Sequence, residues 1–261
     1  MVMTDASAIP HEAPRVRRIT TADVNWALKA GWEDFKAKRG DLLLIGLLYP
    51  AIGVIAGVFA SRGDLLPLLF PALAGVSLLG PAAASGFYEL ARRREEGLPV
   101  DWWNFLDPLN GRSREPLAML TVMLGGVFAG WLAAAWLMYQ GTLGGSEAAG
   151  ISGLIDAVFN TRAGLEMLVI GNIVGFLFAV AALVLAVVSF PMVVDKPVDA
   201  GTAVMTSIRA ARANPGAVAG WGLRVGALLV LGALPLLTGL IIVLPWLGYS
   251  TWHLYTKLVE R

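Results

Sequence analysis

The sequence predicts an all-α membrane protein, with six transmembrane helices arranged as three hairpin units, each introduced by a short amphipathic interfacial helix. Three observations lead there. Of 261 residues, 57% are hydrophobic and only 15% charged, and the mean hydropathy is +0.68. Soluble domains run at about 45–50% apolar and about 25% charged. The apolar residues are gathered in runs near the length of about 20 that a hydrocarbon core demands. The basic residues are sorted to one side of those runs.

Residues 1–14, MVMTDASAIPHEAP, hold two prolines and no continuous apolar run. That is a disordered tail rather than a signal peptide, which needs a basic start and an apolar core. Unit 1 covers residues 15–96. Thr20 or Thr21 can cap a helix with Asp23 in its first turn. Val24, Leu28, Trp32 and Phe35 then recur on one face, and Gly40 offers a stop. Too short and too polar to span, this helix is expected at the membrane surface with its aromatics in the headgroup region. A first span is read over Leu42–Ala60. After the turn Ser61–Asp64, a second runs to about Tyr88, with Pro81 inside it.

Unit 2 covers residues 97–196 and opens on Pro99-Val100-Asp101, the tripeptide that recurs at Pro197-Val198-Asp199. Pro108 and Gly111 break its surface helix, and Trp102, Trp103 and Phe105 are the aromatics expected to anchor at the interface. Spans are read over Leu117–Tyr139 and Met167–Phe190, the latter meeting Pro191. A glycine-rich, mildly acidic connection, Gln140–Glu166, lies between them.

Unit 3, residues 197–261, repeats the plan of unit 1. Asp199 stands 17 residues before Gly216, as Asp23 stands 17 before Gly40. Further on, Pro81, Phe87 and Tyr88 match Pro245, Thr251 and Trp252, with twelve fewer residues between the two spans of unit 3.

Orientation follows from the 20 lysines and arginines. Seven precede the first span, five lie between the second and third, three between the fourth and fifth, and two after the sixth. Arg62 and Arg162 lie on the other side, and Arg224 falls inside the fifth span. Positive charge marks the cytoplasmic side, so both termini are expected there. The same rule resolves residues 217–256 as a tight hairpin turning near Leu234–Gly239, because one long helix would carry Lys257 and Arg261 outside.

The chemistry that composition excludes is broad. With no cysteine, disulfides, thiol catalysis, Fe–S ligation and lipoprotein acylation fall away. His11 and His253 are the only histidines, too few for a zinc or bis-histidine haem site. No phosphate loop or Ser/His/Asp arrangement stands out. No catalytic residue, cofactor, metal or nucleic-acid partner is therefore expected. The polar candidates are Arg224, an intramembrane charge that is a site hypothesis by default, and Glu89 and His253, which fall at equivalent places in the matched spans. Arg224 could also snorkel to the headgroups or pair with Glu89 or Asp195. Asn172 could hydrogen-bond between helices. For close packing the candidates are the four-residue glycine pairs Gly53/Gly57, Gly126/Gly130, Gly171/Gly175 and Gly222/Gly226.

Val16–Thr20 (VRRIT), the tryptophan-bearing surface helix, Ser189–Asp199 (SFPMVVDKPVD) and Leu244–Val259 (LPWLGYSTWHLYTKLV) together resemble the bacterial integral-membrane family called domain of unknown function 2189. The resemblance extends over nearly the whole chain. Members of that family often carry Gly-His where this chain has Gly248-Tyr249. Some members bear the label of cytochrome c oxidase subunits, which implies an accessory role at most, since the histidine ligands of an oxidase core are missing. The expectation is a multi-pass protein of the bacterial cytoplasmic (inner) membrane. It would be a non-enzymatic accessory, assembly or scaffolding component whose partners are the lipid bilayer and other membrane-protein subunits. The alternative is a small transporter or channel with a cavity between its hairpins.

Overall fold

Thr20 and Asp23 start the first helix in the way the sequence suggests. The Thr20 amide and hydroxyl both donate to Asp23 Oδ2 at 2.8 Å. Both bonds run from Thr20 to Asp23, so the carboxylate satisfies the backbone amide that precedes the helix. Helix α1, Thr21–Ala37, then buries Val24, Ala27, Gly31, Asp34 and Phe35 at three- and four-residue spacing. The computed structural model describes residues 14–37, 54, 67–68, 71–73, 80–144, 150–235 and 237–261. The tail 1–14 except its last residue, the span Leu42–Ala60 except Val54, the turn Ser61–Asp64, most of the second span, and Gly53 and Gly57 lie outside the described residues.

The described chain is helical, without strands. After α1 come α2 (Gly80–Ala83), α3 (Ser85–Glu95), a 3-10 turn (Trp102–Leu106), α4 (Asp107–Asn110), α5 (Arg114–Thr142), α6 (Gly150–Asn160), α7 (Arg162–Asp195), α8 (Ala200–Ala213), α9 (Pro215–Ala233) and α10 (Leu240–Leu258). Among the described residues, α5, α7 and α9 are long and apolar enough to cross a membrane. A break at Leu234–Gly239 separates α9 from α10, with Leu237 in the left-handed region at φ 67°.

Two elements differ from expectation. The connection Gln140–Glu166 is not a plain loop. Helix α5 runs on to Thr142, and Leu154, Ile155, Val158 and Phe159 give α6 an apolar face at helical spacing. Nor does Pro191 end its helix, since α7 continues to Asp195. Near Pro191 the backbone of α7 recruits outside help. The Ser207 hydroxyl of α8 donates to Val184 O at 2.7 Å and accepts from Val188 N at 3.2 Å, a side chain inserted into the helical ladder. Ala200, Ala203, Thr206 and Ala210 complete the small buried face that lets α8 come this close.

The surface helices pack in cyclic order. The 3-10 turn and α4 lie on α3, α8 lies on α7, and α1 closes the circuit on α10. Two of the contacts are related by the repeat. Positions 86 and 250, separated by the same interval as Pro81 and Pro245, both receive a surface helix. Gly86 meets Phe105, and Ser250 meets Gly31 so closely that a methyl group on Gly31 would collide with backbone. Phe105 thus faces inward, edge-on to Phe87 at 4.9 Å, rather than anchoring at the interface. Between the two ends of the described chain the circuit is closed without a covalent link. Val16 and Val259 form an antiparallel bridge, with Arg17 N to Leu258 O at 2.8 Å and Glu260 N to Arg15 O at 3.0 Å.

The long pair α5 and α7 interlocks through Trp131, whose ring fills the space over Gly175 and lies 6.0 Å from Phe178, itself against Gly130. Each described glycine pair therefore has one packed member. Gly130, Gly175 and Gly222 touch Phe178, Trp131 and Leu183, while Gly126, Gly171 and Gly226 face open space.

Candidate functional site: a polar clamp at one end of the bundle

The ends of α1, α3, α7 and α10 bring three clusters of charged side chains together at one end of the bundle. Three carboxylates organise them. Asp34 is buried in α1, where a lone carboxylate would be costly. His253 Nε2 stands 2.7 Å from its Oδ2 and Arg94 Nη1 3.1 Å from its Oδ1. Trp26 presents its edge to His253 at 5.6 Å, and the Lys257 ammonium sits 4.2 Å over the face of Trp26.

Glu89, also buried, is gripped by the next turn of its own helix. Arg92 donates through Nη2 and Nε at 2.7 and 2.9 Å, and Arg93 through Nε at 2.8 Å. Arg93 goes on to Asp107 at 2.8 Å, tying α3 to α4. The hydrogen bond to Glu89, helped by Glu96, outweighs burial and raises the Arg92 guanidinium above its ordinary value, so it stays charged at any accessible pH.

Asp195, at the end of α7, accepts from the Tyr255 hydroxyl at 2.7 Å and from Arg261 Nη2 at 2.8 Å. Arg261 also reaches Glu95 Oε2 at 2.8 Å and Glu96 Oε1 at 3.4 Å, and its guanidinium lies 5.1 Å over Trp252. One side chain thereby joins α3, α7 and α10.

The sequence-derived candidates do not converge. His253 belongs with Asp34, and Glu89 with Arg92 and Arg93. Arg224 meets neither Glu89 nor Asp195. It turns back toward the start of α9, donating to Gly220 O and to Asn25 Oδ1 of α1, both at 2.9 Å. Local arginines occupy Glu89, and Tyr255 with Arg261 occupies Asp195, so neither is left for it. Asn172 bonds the Leu168 carbonyl of its own helix at 2.7 Å, not a neighbouring helix. Asp34, Arg94 and Arg261 had no sequence signal as a group, because their partners are between 60 and 219 positions away.

A cavity of about 160 Å³ lies beside the first cluster, lined by Asp34, Ala37, Leu90, Arg94, Val100 and Tyr249. Among the described residues, no group of three or more histidines and carboxylates is arranged to hold a metal ion. Every buried side-chain nitrogen or oxygen among them has a hydrogen-bond partner. Satisfied in this way, the clamp fixes helices relative to one another.

Long apolar helices under a charged, aromatic-rimmed face define a helical integral membrane protein. Residues 69–195 match the model of the family described as "Predicted integral membrane protein (DUF2189)". The match, which covers just under half of the chain, supports the resemblance read from the residues. Of the motifs that carried the resemblance, Ser189–Asp199 lies inside the matched stretch as far as Asp195, while Val16–Thr20, the tryptophan-bearing surface helix and Leu244–Val259 fall outside it. No curated protein and no solved structure matches the chain.

Proposed function

We propose that the protein is a non-enzymatic accessory, assembly or scaffolding component of a membrane complex, with a respiratory oxidase as the first complex to examine. It would sit in the bacterial cytoplasmic membrane as three hairpin units with both termini on the cytoplasmic side. The observation that carries this reading is the use made of the charged groups. Asp34, Glu89 and Asp195 are each held by cations from their own chain, across four helices, at hydrogen-bonding distance. Such a network is suited to presenting a fixed surface, and a reacting group would need a carboxylate or base left open to substrate.

A small transporter or channel is the second reading. The cavity beside Asp34 and Arg94 favours it, since it lies where the surface helix of one unit meets the last helix of another.

The test is to place an affinity tag ahead of residue 14, away from Arg261, solubilise membranes gently and identify what co-purifies. A membrane complex recovered in fixed proportion supports the accessory reading. The protein alone, or only copies of itself, rejects it and directs attention to uptake assays with Arg224→Leu and Arg94→Gln.

A further inference from the structure

The third hairpin is short for a membrane crossing. At 1.5 Å per residue α7, with 34 residues, is about 50 Å long, whereas α9 and α10, with 19 each, are about 28 Å. Part of that length is spent beside the surface helices. Arg224 of α9 is bonded to Asn25, and Ser250 of α10 touches Gly31, so α1 meets both arms well above their cytoplasmic ends. Charged α8 docks at the same level of α7, where Ser207 bonds Val184 and Val188. Gly222 of α9 packs on Leu183, which fixes the two helices relative to each other.

From that level outward, α7 continues from Leu183 to Arg162, about 32 Å and enough for a whole hydrocarbon core of about 30 Å. Helix α9 continues from Gly222 only to Ala233, about 17 Å, and any tilt shortens its reach. Burial along α7 changes accordingly. Ala182 and Ala186–Val194 are buried, whereas Leu165, Val169, Ile173, Phe176 and Leu177 are between 50% and 66% exposed.

We propose that the third hairpin is re-entrant: it enters the bilayer from the cytoplasmic side, turns at Leu234–Gly239 among the acyl chains near the middle, and returns. The tip is built for that environment. From Val225 to Tyr249 there is no charged residue. Leu234 is 72% exposed, with Val230 and Leu231 close behind. Irregular backbone in hydrocarbon must satisfy its own polar groups. Here Leu234 N, Leu237 N, Thr238 N, Leu240 N, Ile241 N, Ile242 N and Val243 N each find a carbonyl within the turn or the adjoining helix, at 3.0–3.2 Å. The Thr238 hydroxyl bonds Pro235 O at 2.6 Å, and Gly239 packs on the backbone of Gly232, closing the two arms. The hairpin therefore contributes no outer loop, and the even-numbered topology is kept without a fifth and sixth crossing.

The chain has no cysteine, so single cysteines report their own position. Thr238→Cys, with Leu234→Cys as a second tip probe, would be compared in lipid vesicles of known orientation with Asn160→Cys beyond the outer end of α7 and Lys29→Cys on α1. A membrane-impermeant maleimide should label Asn160→Cys from the outer side and Lys29→Cys from the cytoplasmic side, and both tip variants from neither. A fluorophore attached at the tip before reconstitution should be quenched by lipids carrying a nitroxide mid-chain. Labelling of the tip from the outer side at the rate of Asn160→Cys would mean a full crossing and overturn the proposal. So would an unlabelled tip that the nitroxide lipids do not quench, since protein would then be covering it. Either result stands apart from whether a partner complex co-purifies.

Discussion

Arg261 and Asp195 form a forked ion pair, with Nη2 2.8 Å from Oδ1 and Nε 3.1 Å from Oδ2, at a carboxylate whose side chain is only 6% exposed. The pair matters because its members arrive from distant parts of the chain. Arg261 also contacts Glu95 and Trp252, so α3 and α10 close on the end of α7 through a single guanidinium.

Replacing Arg261 by Gln should therefore cost more than a surface pair would. Asp195 would keep only the Tyr255 hydroxyl, and the loss is expected at about 1.5–3 kcal/mol, the range for hydrogen bonds to a charged group. Thermal unfolding in detergent would measure it, with Tyr255→Phe as a smaller loss. Adding Asp195→Asn to Arg261→Gln should recover part of the stability, because the uncompensated charge is then gone. A double variant whose losses simply add would show that the pair is not coupled.

The glycines separate into two classes that mutation should resolve. A Cβ on Gly31 would collide with the backbone of Ser250, and one on Gly248 with Phe87, whereas Gly126 and Gly171 have open space. Gly31→Ala should destabilise the α1–α10 crossing by about 1–3 kcal/mol and expose α1 to protease. Gly126→Ala and Gly171→Ala should be neutral, or stabilising by up to about 1 kcal/mol through helix propensity. Four-residue spacing alone would have ranked these positions the other way.

Asp199 gives a pH dependence whose sign can be stated. The Thr202 side chain and amide both donate to its carboxylate, at 2.6 and 2.9 Å, and hold its pKa below the ordinary carboxylate value. A carboxylate depressed in the folded state contributes stability above its unfolded pKa and loses it as pH falls through the folded value. The α8 cap should thus weaken on acidification below about pH 4. Asp199→Ala should remove about 1 kcal/mol at neutral pH, and Asp199→Asn should keep a cap while flattening that acid limb. Helix unfolding followed from pH 6 to pH 2 would check both.

The legibility of this fold from sequence followed the range of the interactions. Local signals were readable: the Thr20–Asp23 cap, the apolar spacing of α1, and the break at Leu234–Gly239, which charge placement required. Helix α6 was readable too, since Leu154, Ile155, Val158 and Phe159 keep helical spacing, but the surrounding glycines masked it. The clamp was not readable. Nothing near Asp34 in the sequence indicates Arg94 or His253, and the rule that an arginine seeks a carboxylate misplaced Arg224, because closer cations had already taken the carboxylates. Depth was hidden for the same reason. Helix α9, nineteen residues with Arg224 as its one charge, has the length of a span, and how much of it lies beside the surface helices depends on tertiary contacts such as Arg224 to Asn25.

Arg224 provides the last prediction, and it separates architecture from transport. Its guanidinium bonds Asn25 across the α1–α9 contact at 2.9 Å, which gives a charge within an apolar helix a partner that is not a carboxylate. Arg224→Leu should loosen α1, lower stability by about 0.5–1.5 kcal/mol, and speed proteolysis within Thr21–Ala37. Asn25→Ala should reproduce the effect, and the double variant should be no worse than either single one, since both remove the same bond. A substrate-binding arginine would behave differently. Uptake would fail in Arg224→Leu while Asn25→Ala transported normally, with α1 equally protected in both. Limited proteolysis of the two single variants and the double variant in the same vesicles decides between them.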